Sequence, residues 1–358
     1  MAERVTMREI AERTGVSVNT VHKALTGKPG VSDAMRKRIM DCAERLGYRR
    51  NANASNLRRT KIRVAVVVPS PEGEGRYYYS YLWRGIEAYE ETAESVLIFE
   101  GRPYQTGQYA EALEQLSEDM KEGLHIDGIL AYAPSDGHAL ELLSSLGAQG
   151  IPIELLDGDQ EIPGRLGCMV ADYATAGRLM AEQAANILPE AAQEILVLGG
   201  DRQVRSHAEV LEGFSEGLQE IAPQHRIETL FGAHGKIEEL SCAVRAALAD
   251  EEPALACSVF AVGTEVLCQA LDEEGLAGRL PVIGNDLFPE SVHALLCGTL
   301  TNAIYKDPVG LAHQAMDALC SHLLSGGEQP EPLRRGNVEM VFRSNLPQYC
   351  RLMGIPFE

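Results

Sequence analysis

The side chains best suited to recognition chemistry in this 358-residue chain lie close together near its start. Asn19 carries the donor–acceptor pair that matches an adenine edge, and Lys23 carries an ammonium that can donate to guanine acceptors. Around them, Arg4, Arg8, Arg36, Lys37 and Arg38 are cations of the kind that hold phosphates, positioning a protein on a duplex without specifying sequence. Residues 1–63 contain 15 Lys/Arg against 6 Asp/Glu, a net of +9, whereas the remainder contains 17 against 46, a net of −29. Positive charge gathered in one short segment can neutralise a polyanion locally while the acidic body faces away. Double-stranded DNA is the partner this chemistry implies.

Signatures of catalysis are missing. There is no GxSxG turn, no P-loop, no HExxH and no GxGxxG after a strand. Asp157, Asp159 and Glu161 cluster in a turn-rich stretch, where solvated carboxylates are expected. The eight cysteines lie far apart without a CxxC pair, which points to reduced, buried thiols and away from a zinc site or a disulfide framework. No enzyme activity, cofactor or metal is expected. No run of about 18 apolar residues occurs and the N-terminus begins with charges, so a cytoplasmic protein with no membrane partner is expected.

Base-reading side chains need a rigid carrier. Thr6-Met7-Arg8-Glu9 has the capping-box spacing, which predicts a short helix to about Arg13 that buries Ile10 and Ala11. Gly15 suits a tight turn. Ser17 then caps a second helix through Leu25, carrying Val18, Asn19, Thr20, His22 and Lys23, and Gly27-Lys28-Pro29-Gly30 breaks it. Ser32 caps a third helix, Asp33 to Leu46, closed by Gly47. This is the arithmetic of a helix-turn-helix unit, whose second helix enters the major groove. Tyr48 to Thr60 follows, weakly helical and with one solitary leucine. A helix this short is marginal in water and makes sense if it folds against a partner and DNA.

From Ile62 the pattern changes to β-branched runs alternating with helical periodicity. Strands are predicted at Val64–Val68, Val96–Phe99, Gly128–Ala131 and Ile151–Leu155, with helices at Ser80–Glu90, Gln108–Lys121 and Gly137–Leu146 between them. A second series has strands Ile195–Leu198, Ile227–Leu230, Ser258–Val262 and Pro281–Ile283. Its helices are Ala174–Leu188, Glu209–Glu220, Lys236–Ala249 and Glu265–Glu273. Such alternation indicates parallel sheets covered on both faces, and two series indicate two α/β lobes with a ligand cleft between them. The domains expected are a helix-turn-helix head over 1–49, a hinge helix and linker over 50–61, a two-lobed domain over 62–342 and a C-terminal tail over 343–358. The tail has no heptad series, so no C-terminal tetramerisation bundle is expected.

Thr6-Met7-Arg8-Glu9-Ile10-Ala11, Gly15-Val16-Ser17, Thr20-Val21, Leu25-Thr26-Gly27, Val31-Ser32 and Leu46-Gly47-Tyr48 resemble the DNA-binding head of the lac repressor/galactose repressor family. The body is similar to that family's effector domain, itself like the periplasmic sugar-binding proteins. The landmarks are Gly85-Ile86-Glu87, Asp127-Gly128, Ile151-Pro152, Asp172, Gly177, Gly213-Phe214, Gly284-Asn285-Asp286 and the closing helix Pro308–Leu324. The likeness runs from Thr6 to about Phe342. It implies that Thr6, Ser17, Val18, Asn19, Thr20, His22 and Lys23 face DNA. It also implies that hinge helices pair across a dimer and wedge Leu57 into the minor groove, with Asn51, Arg58 and Arg59 beside the phosphates and Ala54 also at the DNA. In the body it implies that Tyr78 and Tyr79 face the effector and that Asp286 accepts from vicinal hydroxyls. His207, with Arg205 and Arg202 nearby, can supply donors.

The chain departs from the family's habit at several positions. Lys23 stands where arginine is frequent, His22 where serine is frequent and Arg50 where proline is usual, so the operator sequence does not follow from the resemblance. Val210 stands where an effector-binding arginine is usual, and Gly263-Thr264 replaces an Asn-Asp pair. A sugar or related small polar metabolite that releases a repressor from an inverted-repeat operator is the implied mechanism. A corepressor such as a sugar phosphate or a nucleobase is the alternative. A solute-binding protein would account for the body but not for the head. A homodimer is expected, with the helices near Ser80–Glu90 and Gln108–Lys121 offered for a two-fold interface.

Overall fold

The computed structural model describes residues 7–25, 31–45, 61–93, 96–232, 236–250, 252–325 and 330–357. They belong to two compact units, Met1–Thr60 and Lys61–Glu358.

The first unit contains α1 (Met7–Thr14), α2 (Val18–Leu25) and α3 (Asp33–Arg45). Gly15 makes the turn between α1 and α2 with a left-handed φ of 69°. The Ser17 hydroxyl accepts the Thr20 amide at 3.1 Å, the cap its position predicts. Ile10, Ala11, Val21, Ala24, Ile39 and Ala43 form a small core of their own. Arg36, read above as a phosphate contact, donates to the carbonyls of Lys23 (3.2 Å) and Ala24 (2.9 Å). A cation there satisfies orphan acceptors at the C-terminal end of α2 and suits the helix dipole. Of the hinge helix and linker expected over residues 50–61, all but Lys61 lie outside the described residues.

The second unit has two α/β lobes, as expected. Lobe 1 begins with β1 (Ile62–Val67), α4 (Tyr79–Ala93), β2 (Leu97–Gly101), α5 (Tyr109–Lys121), β3 (Gly128–Tyr132), α6 (Gly137–Ala148), β4 (Ile153–Leu156) and β5 (Arg165–Ala171). Lobe 2 follows with α7 (Tyr173–Ile187), β6 (Glu194–Gly200), α8 (Arg205–Ile221), β7 (Arg226–Phe231), α9 (Ile237–Asp250) and β8 (Leu255–Ser258). It continues through α10 (Ala261–Glu273), β9 (Val282–Asn285), α11 (Pro289–Cys297) and β10 (Asn302–Tyr305). The chain returns to lobe 1 for α12 (Pro308–Ser325) and β11 (Leu333–Gly336). It ends in lobe 2 with β12 (Glu339–Val341) and α13 (Leu346–Met353).

Sheet 1 runs β11-β5-β4-β3-β1-β2, parallel throughout. Sheet 2 runs β12-β10-β9-β8-β6-β7 and is parallel except for the antiparallel β10–β12 pair. On β1, Ala65 and Val67 pack into one core while Val64 and Val66 pack into another, which is why the strand reads as an unbroken apolar run. Strand order reverses between β1 and β3 and again between β6 and β8. Each reversal leaves a crevice at the carboxyl ends of the strands.

Some expectations change. The strand expected at Ser258–Val262 is Leu255–Ser258, and α10 begins at Ala261. Val259 to Val262 is apolar because all four residues line the cavity at the end of β8, with Ala261 and Val262 already in α10. Strands β5, β10, β11 and β12 and helix α11 were not anticipated, being short or poor in β-branched residues. The stretch expected as a tail contains α13, whose Leu346, Tyr349, Cys350 and Met353 are buried in the core of lobe 2. The apolar faces of α4 and α5, on the helices offered above for a two-fold interface, are buried within the unit, in lobe 1 except for Tyr81 of α4, which packs with the core of lobe 2. Arg334 of β11 ion-pairs with the fully buried Glu154 of β4. Burial pushes that carboxyl up to about 7, against the pull of Arg334.

Helices α7 and α8 cross at near backbone contact. A Cβ at Gly177 would lie 2.2 Å from the Val210 carbonyl, and one at Gly213 would lie 2.4 Å from that of Ala174. Gly213→Ala is expected to force the helices apart and lower stability by about 1–3 kcal/mol. Urea denaturation checks this; an unchanged midpoint would show that the crossing tolerates a methyl group.

Candidate functional site

The carboxyl ends of both sheets open onto one cavity of about 160 Å³. A single water needs about 10–15 Å³ on this scale, so the space corresponds to roughly 11–16 waters. The 3-10 turn Gly73–Tyr77 after β1 brings up Tyr77, Tyr78 and Tyr79; the end of β3 supplies Tyr132 and the end of β4 supplies Asp157. Tyr173 opens α7. Across the cavity stand His207 of α8, Phe260 after β8, Asp286 after β9 and Lys306 after β10.

Asp157 and Asp286 both hold left-handed backbone, with φ of 64° and 67°. Aspartate tolerates this region better than most L-residues, and such strain gathers at functional sites. Asp286 and Lys306 are only 6% and 5% exposed. The Lys306 ammonium donates to Asn285 Oδ1 at 2.6 Å and to Asp286 Oδ2 at 3.0 Å. It also lies 5.8 Å and 5.9 Å from the ring centres of Tyr78 and Tyr173. Asp157 accepts from the hydroxyls of Tyr132 (2.5 Å), Tyr78 (3.4 Å) and Tyr173. Burial pushes both carboxyls above the usual range. Lys306 opposes this at Asp286, and the tyrosine hydrogen bonds followed by Lys306 oppose it at Asp157. Burial, reinforced by the Asp157 charge, holds the phenols of Tyr78, Tyr132 and Tyr173 well above their ordinary value, so they are neutral donors. His207 Nδ1 accepts the Asp201 amide at 3.1 Å, which makes Nε2 the protonated nitrogen of the neutral ring.

Beside the cavity a clamp joins the lobes. Arg76 donates to Glu290 at 2.7 Å and to Glu265 at 3.2 Å, and the Tyr77 hydroxyl donates to Glu265. The Tyr77 ring meets Phe288 edge-on at 5.0 Å.

Tyr78, Tyr79, His207 and Asp286, named from the sequence, all line the cavity. Val210, which marks the missing arginine, does not: it is fully buried between α7 and α8. Thr264 is structural, its hydroxyl accepting the Asn285 amide at 2.8 Å. Asp157, read above as solvated, is instead the hydrogen-bonded centre of the lobe 1 wall. Tyr132, Tyr173, Phe260 and Lys306 were missed. Each lies within two residues of a strand's carboxyl end; a strand-end rule reaches Tyr132 and Phe260, whereas Tyr173 and Lys306 follow β5 and β10, the strands that were not anticipated. In the head, Ser17 is exposed and Lys23 half-buried on α2, which also carries Val18, Asn19, Thr20 and His22. Thr6, Asn51, Ala54, Leu57 and Arg58 lie outside the described residues. Among the described residues no group of His, Cys, Asp and Glu could hold a metal, and no helix is long and apolar enough to cross a membrane.

Lys306→Met would leave Asp157 and Asp286 buried without their shared cation. The expected cost is about 3–5 kcal/mol near neutral pH. Because both folded-state carboxyls sit above their unfolded values, protonation favours the folded state. Part of the loss is therefore regained as pH falls towards the ordinary carboxylate range and is lost again as pH rises. Denaturation midpoints at about pH 5 and about pH 8 test this; equal losses at both would show that the carboxylates are compensated elsewhere.

Residues 6–51 match the family described as bacterial regulatory proteins, lacI family, and residues 64–328 match the periplasmic binding protein domain. Catabolite control protein A of Priestia megaterium is 25% identical over 219 residues, 60% of this chain and 61% of that protein. The HTH-type transcriptional regulator AscG of Escherichia coli K12 is 26% identical over 339 residues, 91% of this chain and 94% of that protein. Among solved structures, an ABC transporter solute binding protein from Burkholderia graminis in complex with D-arabinose has a TM-score of 0.70 at 20% identity. It covers 82% of this chain and 99% of its own. One from Agrobacterium vitis bound with alpha-D-tagatopyranose has a TM-score of 0.69 at 18% identity, covering 83% and 100%. The helix-turn-helix head and the two-lobed body with its cleft thus agree with both matches, and the chain belongs to the lacI family of bacterial regulatory proteins, with an effector-type domain of the periplasmic-binding-protein fold.

Proposed function

We propose that this protein is a DNA-binding transcription regulator, a repressor released from an inverted-repeat operator when a small polyhydroxylated molecule binds between its lobes. The observation that carries the ligand half is the facing of Asp157 and Asp286 across the cavity, among neutral tyrosine donors. Carboxylates that accept from vicinal hydroxyls, flanked by aromatic faces, are the chemistry of sugar recognition. The solute binding proteins that share the fold hold D-arabinose and alpha-D-tagatopyranose, in keeping with this reading. A sugar phosphate fits less well. It would bring a doubly charged anion beside two carboxylates whose nearest cation, Lys306, is already committed to Asp286.

The head carries the DNA half: a three-helix unit with Lys23 on the second helix, in a segment of net +9. Two-fold DNA symmetry calls for a two-fold protein, so the working state is a homodimer, with Leu57 wedging the operator centre. Effector binding shifts the population between two arrangements of the lobes, favouring the one in which Arg76 and Tyr77 hold Glu265 and Glu290.

Asp286→Ala is expected to abolish the ligand response while sparing operator binding, since it leaves the head untouched. Calorimetry against sugars, sugar phosphates and nucleobases tests it; unchanged affinity for a verified effector would move the site elsewhere. Leu57→Ala is expected to weaken specific binding far more than non-specific binding. Lys23→Ala should relax one base preference per half-site by about 1–3 kcal/mol. Titrations in which both variants bind operator like the wild type would refute the recognition assignments, and sedimentation as a monomer with operator present would refute the dimer.

A further inference from the structure

The cavity's chemistry changes along the carboxyl edge of sheet 2. At the β10 and β9 ends stand Lys306 and Asp286, facing Asp157 and the tyrosines of lobe 1. At the next strand, β8, the lining becomes Val259 and Phe260, followed by Val262 of α10. Beyond β6 and β7 it is Val204, then Ile237 and Leu240 of α9. Three strand spacings separate β9 from β7, about 14 Å at the usual separation of about 4.8 Å. A ring held by Asp157 and Asp286 therefore leaves the β6–β7 end unfilled.

Of the described polar residues lining that end, Lys236, Asp201 and His207 are engaged within lobe 2, which leaves the small hydroxyl of Ser206 beside the apolar side chains. Lys236 pairs with Glu239 at 3.1 Å, Asp201 accepts the Gln203 amide at 2.8 Å, and His207 accepts the Asp201 amide. Ile237, at the cavity wall, keeps 38% of its surface exposed. Apolar surface beside a pocket, with neighbouring polar groups already engaged, is where the apolar part of a ligand gains affinity.

We propose that the effector is amphipathic: a polyhydroxylated ring at the Asp157–Asp286 end that carries an aryl or short alkyl substituent against Val262, Ile237 and Leu240. This rests on the reading of the cavity as the effector site and adds to it a second subsite that selects glycosides over free sugars. Phe260 and the His207 ring, 4.8 Å apart and tilted by 37°, stand between the two ends.

The test is calorimetry with the full-length protein. The ligands are glucose, galactose, mannose and xylose, each beside its α- and β-phenyl glycosides. At least one phenyl glycoside is expected to bind on the order of tenfold or more tightly than its parent sugar. Ile237→Ser, at a half-exposed position, and Val262→Thr, nearly isosteric, are each expected to remove most of that difference while leaving the parent sugar's affinity unchanged. If parent and glycoside bind alike, or if the substitutions weaken both equally, the apolar subsite is refuted and the sugar reading stands. If neither sugars nor glycosides bind, the sugar reading falls and this proposal with it.

Discussion

A single ammonium group set among buried carboxylates governs the cavity. Charge is costly to remove from water unless it is paired and hydrogen-bonded, and breaking such a pair leaves a penalty that packing alone does not offset. Lys306 meets the requirement at Asp286 directly, and neutral phenols meet it at Asp157. Since Asp157 belongs to lobe 1 and Lys306 to lobe 2, the compensation spans the cleft. Separating the lobes would return these groups to water, and a ligand that replaces water between them acts on the same balance. The Arg76–Glu265–Glu290 clamp is a more exposed device, screened by solvent and correspondingly weaker.

The topology explains why these groups meet. Strand reversals in both sheets place the ends of β1, β3, β4, β6, β8 and β9 on one opening, and Asp157 and Asp286 take left-handed backbone as they leave their strands. Tyr173 starts α7 and His207 lies in the first turn of α8, so the close crossing of these helices at Gly177 and Gly213 sets the distance between two cavity walls. The glycines act on the site without touching it.

Much of this was legible in the residues. Caps, breakers and periodicity located the three head helices and most of the alternating elements, because each buries a regular apolar face. Tyr78, Tyr79 and Asp286 were placed by resemblance and His207 as a nearby donor, and the structure brings all four to the cavity. Asp157 was misread because an acidic residue in an Asp- and Gly-rich loop looks solvated; its burial depends on Tyr132 and Tyr173, distant in sequence. Lys306 escaped for the same reason, since its partners lie about twenty residues earlier on another strand. Val210 shows the converse: a position compared with a ligand-binding one is here filled by core packing.

The order of segments along the chain bears on synthesis. The head's three described helices end at residue 45 and share a core of their own, whereas lobe 1 waits for α12 and β11 and lobe 2 for β12 and α13. Glu154 sits in sheet 1 for some 180 residues of translation before Arg334 emerges to pair with it. Domains that close through distant segments fold late, and their unpaired strand edges are exposed meanwhile. A nascent chain therefore acquires its nucleic-acid-facing part long before the part that senses small molecules. A chain without β12 and α13 would keep the head's separate core while lobe 2 lost an edge strand and the apolar side chains of Leu346, Tyr349, Cys350 and Met353.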